Sequence, residues 1–436
     1  MLRKFSDLSA FRRDPLGFLL ERGTTAKEPL VPLNVGFHPV YLVTDPTLVK
    51  PILKADEADI DKGRLIYKLR EVIGTSSLTI SGEPHRQRRA AIHRQLQEGL
   101  AGDYVEQIGA TIRSWAVSLA GQDVVDAHAV TAPLALRVIC AILFGPEALS
   151  RGDEAAIVEA VHLVEDDLAE EMFRALPHTP WAYLRKKRKL RWAREIMSSV
   201  VERTRSRATA ASLLRAFEEL GLEGEALRDE VLLMLLAGHH TTGTAAAWIL
   251  YHLAKDESIA AALAAEASRL SDHRGELTPG SVRSAASSRA FVQEILRLYP
   301  STYWMSRELK RDQEVAGLRL RAGTSLIIAP WHLHRDPCYW DRPDMLDISR
   351  SFGGRAYMPF GLGPRACVGM GVALLELQLN AMEAALAFRL EVVSSEPVPP
   401  PKPSVTLVPP AIALRVHARV EEAASVPVPA THLDVA

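Results

Sequence analysis

The sequence predicts a mainly α-helical protein with small β-sheets, folded as a single helix-rich domain over residues 1–420. Three observations lead there. Apolar residues recur at helical spacing through most of the chain, and strand-like alternation is confined to short stretches. No internal repeat or linker divides two folds. With 47% of its 436 residues hydrophobic, the chain can bury a large core.

The elements follow in order. Val40-Tyr41-Leu42-Val43 reads as a short strand ended by Thr44-Asp45-Pro46. Helical patterns then cover 46–55, 84–99, 101–120, 130–144, 153–171, 181–207, 226–254, 256–269 and 287–298. Pro300 closes the last, because proline cannot continue the helix ladder. From Glu314 to Ile328 the pattern is two short strands joined at Ala322-Gly323, followed by a loop-rich stretch to Cys367. A strong helix is expected from Val368 to Phe388. The tail from Glu421, with its Val-Pro-Val-Pro-Ala run, reads as disordered.

Composition excludes several classes. A net charge of −1 provides no field to attract nucleic acid or an anionic membrane. The basic run Arg185-Lys186-Lys187-Arg188-Lys189 is, in the first instance, a solvated helix face. Three cysteines, at 140, 338 and 367, are too few and too scattered for a disulfide framework and suit a reducing, cytoplasmic setting. The first twenty residues have no secretory signal and no membrane anchor. Val231 to Leu253 is the longest apolar stretch, but Gly238-His-His-Thr-Thr-Gly243 interrupts it, which indicates a buried helix. A monomer is expected.

The most specific segment is Phe360-Gly361-Leu362-Gly363-Pro364-Arg365-Ala366-Cys367-Val368-Gly369. Its glycines permit tight turns and close approach to a flat ligand. A cysteine delivered to a helix start meets free N–H groups and a dipole that favour the thiolate. Arg365 adds a cation where an anionic group could dock. A lone cysteine is more often inert packing. The Gly361-x-Gly363-x-x-Ala366 spacing also imitates a dinucleotide fingerprint, but that needs a preceding strand, and Glu383 falls inside the same helix as the cysteine.

This segment resembles the haem-binding loop of the cytochrome P450 family, whose Phe-Gly-x-Gly-x-Arg-x-Cys-x-Gly pattern is complete here. The resemblance spans about residues 35 to 418 and implies the P450 fold, with haem b between the long central helix and the cysteine loop. It implies that Cys367 is the thiolate ligand of the iron and that Arg365 pairs with a haem propionate. Glu294-Ile-Leu-Arg297 resembles the family's Glu-x-x-Arg motif, and Arg350 would complete a buried triad. An isolated pair at this spacing is usually a surface ion pair. His85 and Arg89, four apart on one helix face, and Arg307 match further propionate-binding positions. His334-Arg335-Asp336-Pro337 fits a family loop; with His332 it lacks the ligand pattern of a zinc site.

Ala237-Gly238-His239-His240-Thr241-Thr242 is similar to the family's oxygen-activating segment, with Gly238 and the threonines able to open a local kink. Thr241 aligns with the threonine that steers protons, but His240 stands where an acid is usual. His240 could relay protons, slow their delivery, mark chemistry other than hydroxylation, or turn outward and leave the task to water. The implied activity is a haem-dependent monooxygenase acting on a hydrophobic terpenoid, fatty acid or polyketide. Electrons would come from a ferredoxin or flavodoxin with its NAD(P)H reductase, docked near Arg86, Arg88 and Arg94. The pocket would be lined by Ile66–Leu78, Met172–Tyr183, Leu233–Ala237 and Ser301–Met305. A haem-thiolate isomerase, dehydratase or atypical bond-forming enzyme, and a non-catalytic haem sensor, are the rival classes.

Overall fold

The computed structural model describes residues 5–173, 179–273, 275–394 and 397–419. Helices dominate, with four small sheets among the described residues. Each of the ten helices expected from periodicity is present with its ends within three residues of the expected ones. The interior is organised around the helix Gly224–Lys255, hereafter the central helix, whose residues from Val231 to Leu236 and Thr242 to Tyr251 are all buried. Ala127–Phe144 packs along it; that helix is started by the Asp126 carboxylate, which accepts from the Ala129 N–H at 2.8 Å. The two helices lie close because Gly238 has no side chain: a Cβ there would sit 2.7 Å from Ile139 Cγ1. The central helix is continuous through Gly238, and this glycine serves close packing.

The largest sheet has five strands in the order Leu30–Leu33, Val40–Val43, Ser325–Ile328, Met305–Leu309, Ile60–Asp61. Only Val40–Val43 and Ser325–Ile328 run parallel. A second sheet joins Val124–Asp126, Ala413–Ala418 and Phe388–Val392. The expected pair of strands between Glu314 and Ile328 is three: Gln313–Val315 and Leu318–Leu320 form a hairpin before Ser325–Ile328 begins. Ala316 and Gly317 both take positive φ (51° and 77°), as a tight hairpin turn requires.

Two further differences concern the termini and the cysteine. Helices Leu8–Arg13 and Pro15–Thr24 precede the first expected element. The helix after Cys367 starts at Met370, so the cysteine lies in the loop before it, just after a 3-10 turn at Gly363–Arg365. The tail expected from Glu421 lies outside the described residues. Ala127–Phe144 and Met370–Ala387 are long and apolar enough to cross a membrane, but most of each is buried within the fold.

Candidate active site

The cysteine loop is shaped by backbone constraint. Gly363 has φ +75°, and a Cβ there would lie 2.5 Å from the Leu53 carbonyl oxygen, so only glycine fits. The Cys367 N–H donates to the Phe360 carbonyl at 2.8 Å and closes the turn. The Cys367 side chain remains accessible, although it lies far enough inside the fold that desolvation pushes its thiol up. The Gly369 N–H and the Arg89 guanidinium pull in the other direction and favour the thiolate. All three cysteines are unpaired.

A second accessible patch interrupts the central helix. Ala237 is exposed, and Gly238, His240 and Thr241 are partly so, between two buried stretches. The Thr241 hydroxyl donates to the Ala237 carbonyl at 2.7 Å, which leaves its lone pairs to accept. Ser301, from the segment expected to line the pocket, donates to the Thr241 carbonyl at 2.8 Å. His240 turns to the neighbouring helix Arg151–Phe173, with Nε2 2.5 Å from Glu165 Oε1. His239 Nδ1 approaches the same oxygen at 3.3 Å. Burial alone would raise Glu165, yet the two imidazoles outweigh it and hold the carboxyl at about 2.

Beside the cysteine loop lies a group of cations short of counter-charge. Arg365 pairs with Glu57 at 2.5 Å and also donates to the carbonyls of Ser77 and Ile80. His85 is buried with Nδ1 3.9 Å from the same carboxylate. Lys62 is buried and donates to the carbonyls of Leu78 and Ile80. Arg307 is buried and donates to the Ser306 carbonyl at 2.8 Å, with no carboxylate in ion-pair range among the described residues. Burial, then repulsion from Arg365, lowers Lys62 to about 7, Arg307 to about 10 and His85 to about 4. Among the described residues, Glu57 and Asp61 oppose this positive charge.

Beneath the loop, Glu294, Arg297 and Arg350 come together. Arg297 grips both oxygens of Glu294 at 2.7 Å, with both side chains fully buried. Arg350 Nε reaches Glu294 Oε1 at 3.1 Å. Arg297 also donates to the carbonyls of His334, Pro343 and Met345 and thereby ties down the loops leading to Cys367. His334 is a strut: its Nε2 accepts from the Met358 N–H at 3.0 Å and its Nδ1 lies 3.2 Å from the Arg297 carbonyl. His332 and His334 build no metal cluster among the described residues.

Two expectations are corrected here. Arg88 was expected on a docking face beside Arg86 and Arg94, but it turns inward to the buried Glu230 at 2.8 Å. Arg86 and Arg94 are 65% and 61% exposed. Trp181, within the segment expected to line the pocket, is 83% exposed to solvent. Residues 174–178 of that segment lie outside the described residues. Glu57, Lys62 and Glu165 were not anticipated. Each sits in a charged local context that reads as surface, and no local signal marks them.

The family model for cytochrome P450 matches residues 24–416. The chain belongs to the cytochrome P450 family. Among curated relatives, cyclooctat-9-en-7-ol 5-monooxygenase of Streptomyces melanosporofaciens is 28% identical over 88% of this chain and 87% of its own. Cyclooctatin synthase of the same organism is 26% identical over 91% and 89%. Pentalenene oxygenase of Streptomyces avermitilis is 26% identical over 93% and 94%. The chain is thus a P450 monooxygenase, an oxidoreductase whose cofactor is haem b and whose electrons come from a redox partner. The residues present fit that cofactor: an accessible thiol adjoins a buried surplus of positive charge, which the two carboxylates of a haem would offset.

Proposed function

We propose that this P450 inserts one oxygen atom of O2 into a terpenoid-type hydrophobic molecule, using electrons from a separate ferredoxin or flavodoxin and its NAD(P)H reductase. The observation behind it is the accessible Cys367 thiol beside Arg307 and Lys62, which have no carboxylate in ion-pair range among the described residues. The names of two relatives, for cyclooctat-9-en-7-ol and pentalenene, support the substrate class. Bound haem supplies the activation of dioxygen.

The protein's own residues do the rest. Cys367 would ligate the iron through sulfur, and the Arg89 guanidinium favours its thiolate. Arg307, Arg365 and Arg89 would hold the propionates of a bound haem by charge-assisted hydrogen bonds. His85, lowered to about 4, enters this group as a neutral hydrogen-bonding partner; an adjacent carboxylate would raise it again. Glu294, Arg297 and Arg350 hold the loop below the haem. Thr241 passes protons through its hydroxyl, whose backbone bond to Ala237 fixes its direction. Arg86 and Arg94 remain as exposed cations for an acidic electron donor.

The test is a titration of the ferric absorption spectrum with terpenoids, fatty acids and macrolide precursors, followed by turnover with NADPH, ferredoxin and reductase. A low- to high-spin shift with terpenoids and a hydroxylated product are expected. Product formed without reductant would replace this reading with an isomerase or dehydratase. A chain that takes up no haem when supplied with it would overturn the assignment of Cys367.

A further inference from the structure

The central helix lacks an acid at position 240, but a carboxylate is nevertheless present. It comes from a different helix. Glu165, on Arg151–Phe173, places Oε1 2.5 Å from His240 Nε2 and 3.3 Å from His239 Nδ1. Among the described residues this is the sole cluster of three potential metal-ligating side chains. Two chemistries could explain it. Two ligands on one tetrahedral ion with bonds of roughly 2.0–2.1 Å stand about 3.3 Å apart. The 2.5 Å separation of His240 and Glu165 is too short for that and is a direct ion-pair contact.

The surroundings agree with a proton-holding role. Glu165 and His240 side chains are each 18% exposed, so the pair is largely enclosed yet can be recharged from solvent. Among the described residues, the other titratable groups close enough to act here are His239, also on the central helix, and His128 and Asp126 at the start of Ala127–Phe144. His128 is lowered by burial and by the two central-helix histidines, although Asp126 and Glu165 pull it up. Thus the carboxylate facing His240 is Glu165. Thr241, with its hydroxyl lone pairs free to accept, is the next residue along.

We propose that Glu165 is the positioning partner of His240, and that this cross-helix pair replaces the missing helix acid in delivering protons toward Thr241. The proposal rests on the P450 monooxygenase reading. The Glu165 carboxylate, 2.5 Å from His240 Nε2, fixes the ring by this ion-pair contact. A proton leaves the ring through Nδ1 and solvent returns one to Nδ1, while Glu165 keeps the Nε2 side of the ring in place. No electron moves in this step, and no further reactant is needed.

The test compares wild type with Glu165→Gln, Glu165→Asp and His240→Asp in the haem-loaded enzyme. Glu165→Gln should keep haem, melting temperature and the substrate-induced spin shift. Product formed per NADPH should fall about 10- to 100-fold, the usual loss when the group orienting a functional histidine is removed. Hydrogen peroxide should rise in compensation, and the solvent isotope effect should grow. Glu165→Asp should recover part of the coupling, and His240→Asp combined with Glu165→Gln should restore it. Independently of turnover, NMR of 15N-histidine-labelled protein should show a protected, downfield Nε2–H that Glu165→Gln abolishes. Wild-type coupling and an unchanged ring N–H in Glu165→Gln would overturn the proposal. So would stoichiometric Zn2+ binding that Glu165→Gln removes. In either case intact haem binding and spin shift would leave the monooxygenase reading standing. A wild-type protein without them would bring down both.

Discussion

The buried Arg297 has a carboxylate partner in Glu294, whereas the buried Arg307 has none in ion-pair range among the described residues. Arg297 and Arg350 share one carboxylate, and Arg297 places its remaining N–H groups on three backbone carbonyls. Lys62, Arg307 and Arg365 are also buried or nearly so, but the two nearby carboxylates leave them repelling one another. Burying charge costs several kcal/mol per ion unless partners offset it. A complete set of partners therefore marks scaffold, and an incomplete set marks a place where a ligand must supply the missing charge. The difference explains why one group has a role in a protein without ligand, and the other gains its role on binding.

The largest effect is expected at the matched group. Glu294→Ala would leave Arg297 fully buried and unpaired, a change that typically costs about 3–5 kcal/mol. That is a large share of the roughly 5–15 kcal/mol that holds a protein folded, so little soluble protein should form. Urea denaturation of whatever is recovered measures the loss. A cost below about 1 kcal/mol would contradict the matched-charge account.

An opposite sign is expected at the unmatched group. Arg307→Met should leave haem-free protein no less stable, or more so, while haem dissociates faster from it. The pH dependence follows from Lys62, lowered to about 7 from its ordinary 10.5. Between those values the unfolded chain binds a proton that the folded chain does not, so stability rises with pH across that window. Below pH 7 the penalty is fully present. Denaturation of haem-free protein at pH 7 and pH 10 should show the rise, and Lys62→Met should flatten it. Bound haem should reduce the slope, because its carboxylates favour the charged lysine.

The smallest effect concerns the electron-donor face. Arg86→Glu and Arg94→Glu should change stability by less than about 0.5 kcal/mol. They should slow first-electron transfer several-fold at low salt, with the difference shrinking as salt screens it. Arg88→Ala should instead destabilise, since it strands the buried Glu230. Stopped-flow reduction and denaturation, run on all three, separate the roles.

The contrast between Arg86 and Arg88 also shows what could be read in advance. Arg88, Ile92 and Leu96 recur every four residues, so the helical period already placed Arg88 on the apolar face. The N-terminal helix at Pro15 was legible as well: Asp14 accepts from the Gly17 N–H at 2.9 Å, and Asp-Pro is a helix-start signal. The hairpin at Ala316-Gly317 was harder, since alanine rarely takes the positive φ found there. Glu57 could not be read at all. Its partner Arg365 is 308 residues away, and nothing in a local acidic run distinguishes one carboxylate from its neighbours.

By itself the sequence determined the features whose physics is local. Helical period set the helices, and glycines in fixed spacing with Arg365 and Cys367 shaped the cysteine loop, because turn geometry depends on neighbouring residues. Tertiary structure alone decided the charge balance. Whether a buried arginine is matched, as Arg297 is, or unmatched, as Arg307 is, depends on side chains brought together from distant segments. The same holds for Glu165, which meets His240 only because two helices pack side by side. Electrostatic energy depends on separation in space and on burial, and sequence order specifies neither.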